Sequence, residues 1–215
     1  MTSQPAKTRK RGISRQQILE TAIALADSEG LAACNMRRIA QGLDVEAMSL
    51  YNHVANKDAL LDGMAELVLA TIPLPPEPAE RWQDELRALA VAYRQMLYAH
   101  PALLPLLATR PINMTAIPAI LARVLEALAR VGLSDMQQRH AANALAGMVL
   151  GLALQYIGAP HVAIPPEQPP PTPTAPTARY IHTMPPQAQA DDDFAFGLDT
   201  FITGLERMQV RAMAD

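Results

Sequence analysis

Apolar residues recur every three or four positions along most of the chain, and no stretch alternates apolar and polar by twos, so the spacing predicts helices rather than strands. Ile18, Ala22, Leu25 and Ala26 share one helical face. Ser14 and Gln17 ahead of them have the S-x-x-Q spacing of a capping box, and Gly30 is placed to end that helix at C′. A second, short helix is expected after Asn35, an acceptable N-cap, with Ile39, Ala40 and Leu43 facing inward. "GLDV" is a turn, and a third helix is expected over about Glu46 to His53. Asn56 caps a fourth, whose Leu60, Leu61, Met64, Leu67 and Val68 form one apolar stripe.

"IPLPPEP" (72–78) holds four prolines and must break the helical pattern,. A long amphipathic helix follows over "RWQDELRALAVAYRQMLYAHP", stopped by Pro101. Pro101, Pro105, Pro111 and Pro118 cut the next stretch into short pieces. Ile120 to Val131 is expected to be helical and ended by Gly132. Ser134 can cap a further helix that reaches about Ile157. Ten of the nineteen prolines lie between Pro160 and Pro186, where no period survives, so about 159–190 is expected to be a disordered or loosely packed loop. Asp191 to Asp193 suit a helix N-terminus, and Phe194, Leu198, Phe201, Ile202 and Leu205 make a last apolar stripe. The expected fold is all-α. Residues 1–13 are expected to form a basic arm, 14–71 a helix-turn-helix domain, and 79–215 a larger helical domain.

Helices two and three are short, close in sequence and joined by a tight turn. That is the helix-turn-helix arrangement, whose second helix lies in the DNA major groove. Val45, Leu50 and Val54 can face inward, leaving Ala47, Met48, Ser49, Tyr51, Asn52 and His53 outward or at the edge. Asn and Ser can hydrogen-bond base edges, and small apolar groups can meet a thymine methyl. Tyr, His and Lys can reach phosphate oxygens.

Charge sharpens this picture. The net formal charge is −3, yet residues 1–57 carry eight Lys/Arg against five acids and hold all three lysines. A basic N-terminal module on an acidic body fits a polyanion that meets one end only. Half of the residues are hydrophobic and only 4% aromatic, which supplies a core rich in helix formers. One cysteine, Cys34, excludes an internal disulfide and fits a cytoplasmic protein,. No signal peptide is evident. The most apolar run, Ala144 to Leu154, is shorter than the roughly 20 residues that a span needs, so no membrane partner is expected. Its Gly147-x-x-x-Gly151 reads as close packing of two soluble helices.

The order of residues in "MRRIAQGLDVEAMSLYNHVANKDALLDGM" resembles the DNA-binding domain of the tetracycline repressor family of transcriptional regulators. The resemblance is carried by Arg37, Ile39-Ala40, Val45, Ser49-Leu50-Tyr51, His53-Val54, Asn56-Lys57 and Leu60-Leu61. It implies that Arg37, Ala47, Met48, Ser49, Tyr51, Asn52, His53 and Lys57 face DNA, with Tyr51, His53 and Lys57 anchoring phosphates. Asp44 departs from the family, which commonly has glycine in the turn, and Asn35 replaces a common threonine. "RWQDELR", "LATRP" and "FAFGLDTFITGLE" are similar to the ligand-binding domain of the tetracycline repressors themselves. That similarity places a ligand pocket at Thr71, Leu89, Tyr93, Leu106, Thr109 and Gln155. The family's magnesium-binding His and Glu are Leu106 and Gln155 here, and its drug-binding His and Asn are Thr71 and Leu89. The donors a hard dication needs are therefore lost, and the expected effector is a small apolar molecule rather than a magnesium chelate, with no metal and no cofactor. By the same resemblance, residues 139–157 and 192–209 pair with those of a second subunit in a four-helix bundle.

The implied function is a ligand-released repressor that binds a palindromic operator as a homodimer. An activator, or an architectural DNA-binding protein without a ligand, is the alternative. An enzyme is disfavoured. The five histidines are scattered, no Gly-rich phosphate loop or G-x-S-x-G elbow occurs, and Cys34 lies inside the helix-turn-helix as buried filler.

Overall fold

The computed structural model describes residues 13–110, 118–157 and 189–212, and among these the regular structure is entirely helical. The expected all-α class is found. The chain divides into two units, one running to Leu67 and the other beginning at Val68, so the division falls inside the fourth helix, ahead of the proline segment.

In the first unit, α1 spans Arg15–Glu29. Its capping box is complete: the Gln17 N–H donates to Ser14 Oγ (3.2 Å) and the Ser14 N–H to Gln17 Oε1 (2.9 Å). Gly30, at φ +87°, turns the chain out of the helix while its N–H closes on the Ala26 carbonyl. That backbone region favours glycine. After a 3₁₀ turn, α2 (Met36–Gly42) starts where Asn35 Oδ1 accepts from the Arg38 N–H (3.0 Å). The α3 helix is only Ala47–Leu50. The α4 helix covers Lys57–Ala70 and is capped by Asn56 Oδ1, which accepts from the Ala59 N–H (2.8 Å). Ile18, Leu19, Ala22, Ile39, Leu50, Val54, Leu60 and Met64 are buried. Gly63 lets α4 lie close to α1, because a Cβ there would sit 2.7 Å from Arg15 Nη2 and 2.8 and 3.0 Å from the two Leu19 methyls.

The second unit holds α5 (Trp82–Ala99), α6 (Leu104–Thr109), α7 (Ala119–Ala129), α8 (Asp135–Ile157) and α9 (Gln189–Ala212). The α5 helix packs on α7 and α8, and α6 and α9 also pack on α8. Gly132, at φ +85°, follows the end of α7, and Gln137 Oε1 accepts from the Ser134 N–H (3.0 Å) at the start of α8. Polar side chains tie α5 to α9: Trp82 Nε1 donates to Gln209 (3.3 Å), Gln83 to Glu206 (3.0 Å), Arg87 pairs with Asp199 and Arg94 with Asp191. The Arg94 guanidinium also lies over the Phe194 and Tyr98 rings, at 4.6 and 4.8 Å from their centroids, a favourable cation–π arrangement.

One expectation needs correction. The third helix ends at Leu50 rather than about His53, because the His53 and Val54 N–H groups both converge on the Leu50 carbonyl and the regular ladder stops there. The apolar run 144–154 lies inside α8, which is long and apolar enough to cross a membrane by length and composition alone, a test that core helices of soluble proteins also pass. The expected N-terminal arm up to residue 12, Pro111, and residues 158–188 of the expected loop lie outside the described residues, whereas Gln189 and Ala190 are already in α9.

Candidate nucleic-acid interface and effector core

The α2–turn–α3 segment is built from a buried anchor and an exposed rim. Leu50 and Val54 are buried, and the Val45 N–H donates to the Ala40 carbonyl (3.0 Å), fastening the turn to α2. Asp44 takes φ +52° in that turn, the only non-glycine with positive φ among the described residues. The position the family gives to glycine thus keeps a left-handed backbone here, and Asp is among the few residues that visit it.

Six of the eight expected DNA-facing residues are exposed: Arg37, Met48, Tyr51, Asn52, His53 and Lys57. Met48 is 73% exposed and Tyr51 47%, unusual for large apolar or aromatic side chains,. Ala47 and Ser49 are half-buried, and the Ser49 hydroxyl donates to the Glu46 carbonyl (2.6 Å). Tyr51, Asn52 and His53 follow α3 in a turn rather than extending it. The adjacent arginines differ. Arg38 pairs with Glu29 and its guanidinium pKa is raised by that hydrogen bond, whereas Arg37 forms no ion pair among the described residues.

Cys34 lies in the core of this unit, its thiol donating to the Ala22 carbonyl (3.2 Å). Burial pushes its pKa up, with Asp27 adding to the effect. That is opposite to the environment of a reactive thiolate.

The six expected pocket positions separate into two groups. Leu89 and Leu106 are buried, and Tyr93 is half-buried with its phenol pushed up to about 12 by desolvation. Thr71, Thr109 and Gln155 are exposed, and the two threonine hydroxyls donate to carbonyls one turn back, Val68 (2.7 Å) and Pro105 (2.8 Å). Of the polar trio Tyr93, Thr109 and Gln155, only Tyr93 is withdrawn from solvent. Among the described residues no three His, Cys, Asp or Glu side chains gather as metal ligands would.

Sequence reasoning missed one buried polar group, Glu85, which pairs with Arg123 of α7. The signal was present: an acid stands among Trp82, Leu86 and Leu89 on the apolar face of α5.

Two family profiles match the chain. "Bacterial regulatory proteins, tetR family" covers residues 18–64, and "Tetracyclin repressor-like, C-terminal domain" covers 74–209. An HTH-type transcriptional regulator of Saccharopolyspora erythraea is 34% identical over 65% of this chain and 59% of its own length. The HTH-type transcriptional repressor DrrR1 of Streptomyces coeruleorubidus is 31% identical over 69% of this chain and 56% of its own. The matched part thus spans little more than half the length of these curated relatives. Among solved structures, the Streptomyces coelicolor TetR family protein ActR in complex with actinorhodin has a TM-score of 0.73 at 27% identity, over 93% of this chain and 99% of that one.

Proposed function

The chain belongs to the tetracycline repressor family of bacterial transcriptional regulators, and on that premise we propose that it is a ligand-released repressor that binds a two-fold-symmetric operator as a dimer. The observation that carries this reading is the exposed rim of Arg37, Met48, Tyr51, Asn52, His53 and Lys57 over the buried Leu50 and Val54. In this reading Asn52 and Ser49 hydrogen-bond base edges, and Met48 and Ala47 meet apolar groups in the major groove. Tyr51, His53, Lys57 and Arg37 hold phosphates and set the register.

A single head reads too few base pairs for a useful specificity ratio, so the proposal includes a second copy. The α8 and α9 helices supply its surface. Gly147, Gly151 and Gly204 are exposed, with nothing among the described residues within 4 Å of where a Cβ would stand, and Met136 and Phe196 are exposed on the same two helices. A closed four-helix bundle would cover this face and account for the low burial of α8.

The effector in this reading is a small apolar molecule. Leu89, Leu106 and Tyr93 are positions that the resemblance to the tetracycline repressors assigns to the pocket, and they favour apolar contact with one neutral phenol donor. The likeness to ActR with actinorhodin bound supports a small-molecule effector of some kind. Binding shifts the protein between two states of different operator affinity, a coupling typically worth about 1–3 kcal/mol.

The test is selection of bound duplexes from a random pool, followed by footprinting. Two protected half-sites about 34–36 Å apart along the DNA support the reading. A single protected half-site, or no enrichment, defeats it.

A further inference from the structure

Glu85 is 2% exposed, and its carboxylate is buried against the segment that joins α4 to α5. Oε2 accepts the Ala79 N–H (2.7 Å), and the carboxylate pairs with Arg123 of α7. Arg123 in turn donates to the Pro75 carbonyl and the Glu77 carbonyl (3.3 Å). Arg130, the residue just past the end of α7, donates to the carbonyls of Ala79 (2.9 Å) and Glu80 (3.1 Å). Three side chains, from α5, α7 and the end of α7, thus hold the backbone of residues 75–80.

The sequence explains why this segment needs outside donors. Pro73, Pro75, Pro76 and Pro78 lack N–H groups, so the segment builds no ladder of its own,. Stability does not explain why the donors are charged. A buried ion pair seldom gains more than its desolvation costs, and apolar residues of the same volume are often as stable or more so. Here the network is also incomplete, since Arg123 Nε is buried with no hydrogen-bond partner among the described residues, a further cost. What the pair supplies is geometry: it fixes where the chain runs after α4, the helix inside which one unit gives way to the other.

We propose that Glu85 and Arg123 are positioning residues for operator binding, a clasp that sets the path of the chain leaving α4. This rests on the DNA-binding reading above. The test compares full-length wild type with the double variant Glu85→Leu, Arg123→Met, which removes both charges and keeps the volume. The probe is the duplex that wild type selects from a random pool. The double variant is expected to melt cooperatively at or above the wild-type temperature, with faster hydrogen exchange at the Ala79 amide. Its affinity for the duplex is expected to fall about fivefold or more, the lower range of allosteric couplings. A merely structural pair would instead lower melting temperature and affinity in step. A folded double variant with wild-type affinity and wild-type Ala79 exchange overturns the proposal. If the double variant does not fold, Glu85→Gln decides, because it keeps an acceptor for Ala79 and discharges the pair. Weakened binding at unchanged melting temperature supports the clasp, and wild-type binding overturns it. A wild type that enriches no duplex defeats the DNA-binding reading itself, and is told apart by the absence of any selected probe.

Discussion

Asp44 carries the turn between α2 and α3 in a left-handed conformation at φ +52°. Most side chains pay roughly 1–2 kcal/mol there. Asp44→Ala should therefore destabilise the first unit by about 1 kcal/mol, whereas Asp44→Gly should be neutral or stabilising. Urea unfolding of the two variants checks this, and equal stability of both would mean that the turn relaxes. The sequence showed that a family glycine was missing here, and only the structure shows that its backbone angle was kept. Tyr93 makes a second prediction at this scale. Its phenol is pushed up to about 12 from 10.0 by burial. The folded state then holds the proton more tightly than the unfolded chain, so this contribution is intact below pH 10 and is lost as pH rises from 10 towards 12. A spectrophotometric titration should show one tyrosine ionising late. A titration in which no tyrosine ionises late, with the fold retained, would contradict it.

Helix ends were the most legible elements. Ser14, Gln17, Asn35 and Asn56 are capping types at capping positions, and each makes the expected bond. The extent of α3 was not legible, because Ser-Leu-Tyr-Asn-His has no stop signal and the helix ends through competition for one carbonyl. Packing between helices is likewise hidden from spacing alone. Gly63 looks like an ordinary small residue in α4, yet a Cβ there would run into the buried Leu19 side chain. Gly63→Ala should cost about 1–3 kcal/mol by overpacking, despite alanine's better helix propensity. Thermal unfolding measures it, and a stabilised variant would show that α4 can move away from α1 without loss.

For the molecule as a whole, two helical units and a basic head on an acidic body could be read from hydrophobic spacing, four clustered prolines and the charge asymmetry. The exposure of Met48, Tyr51, Asn52 and His53 was equally accessible, because it follows from the spacing that buries Leu50 and Val54. The effector core was less so. Its six expected positions rest on the resemblance of "RWQDELR" and "LATRP" rather than on local pattern, and Thr71, Thr109 and Gln155 prove to be solvent-facing. The Glu85–Arg123 pair joins residues 38 positions apart across two helices, a separation that no local pattern reports. The central claim, a sequence-reading dimer that engages DNA through the α2–α3 rim, is tested most directly by fluorescence anisotropy. The protein is titrated onto its selected duplex and onto a scrambled duplex of equal composition at two salt concentrations. The account predicts at least about a thousandfold preference for the selected duplex, with both affinities falling as salt rises. Equal affinity for the two duplexes would contradict it.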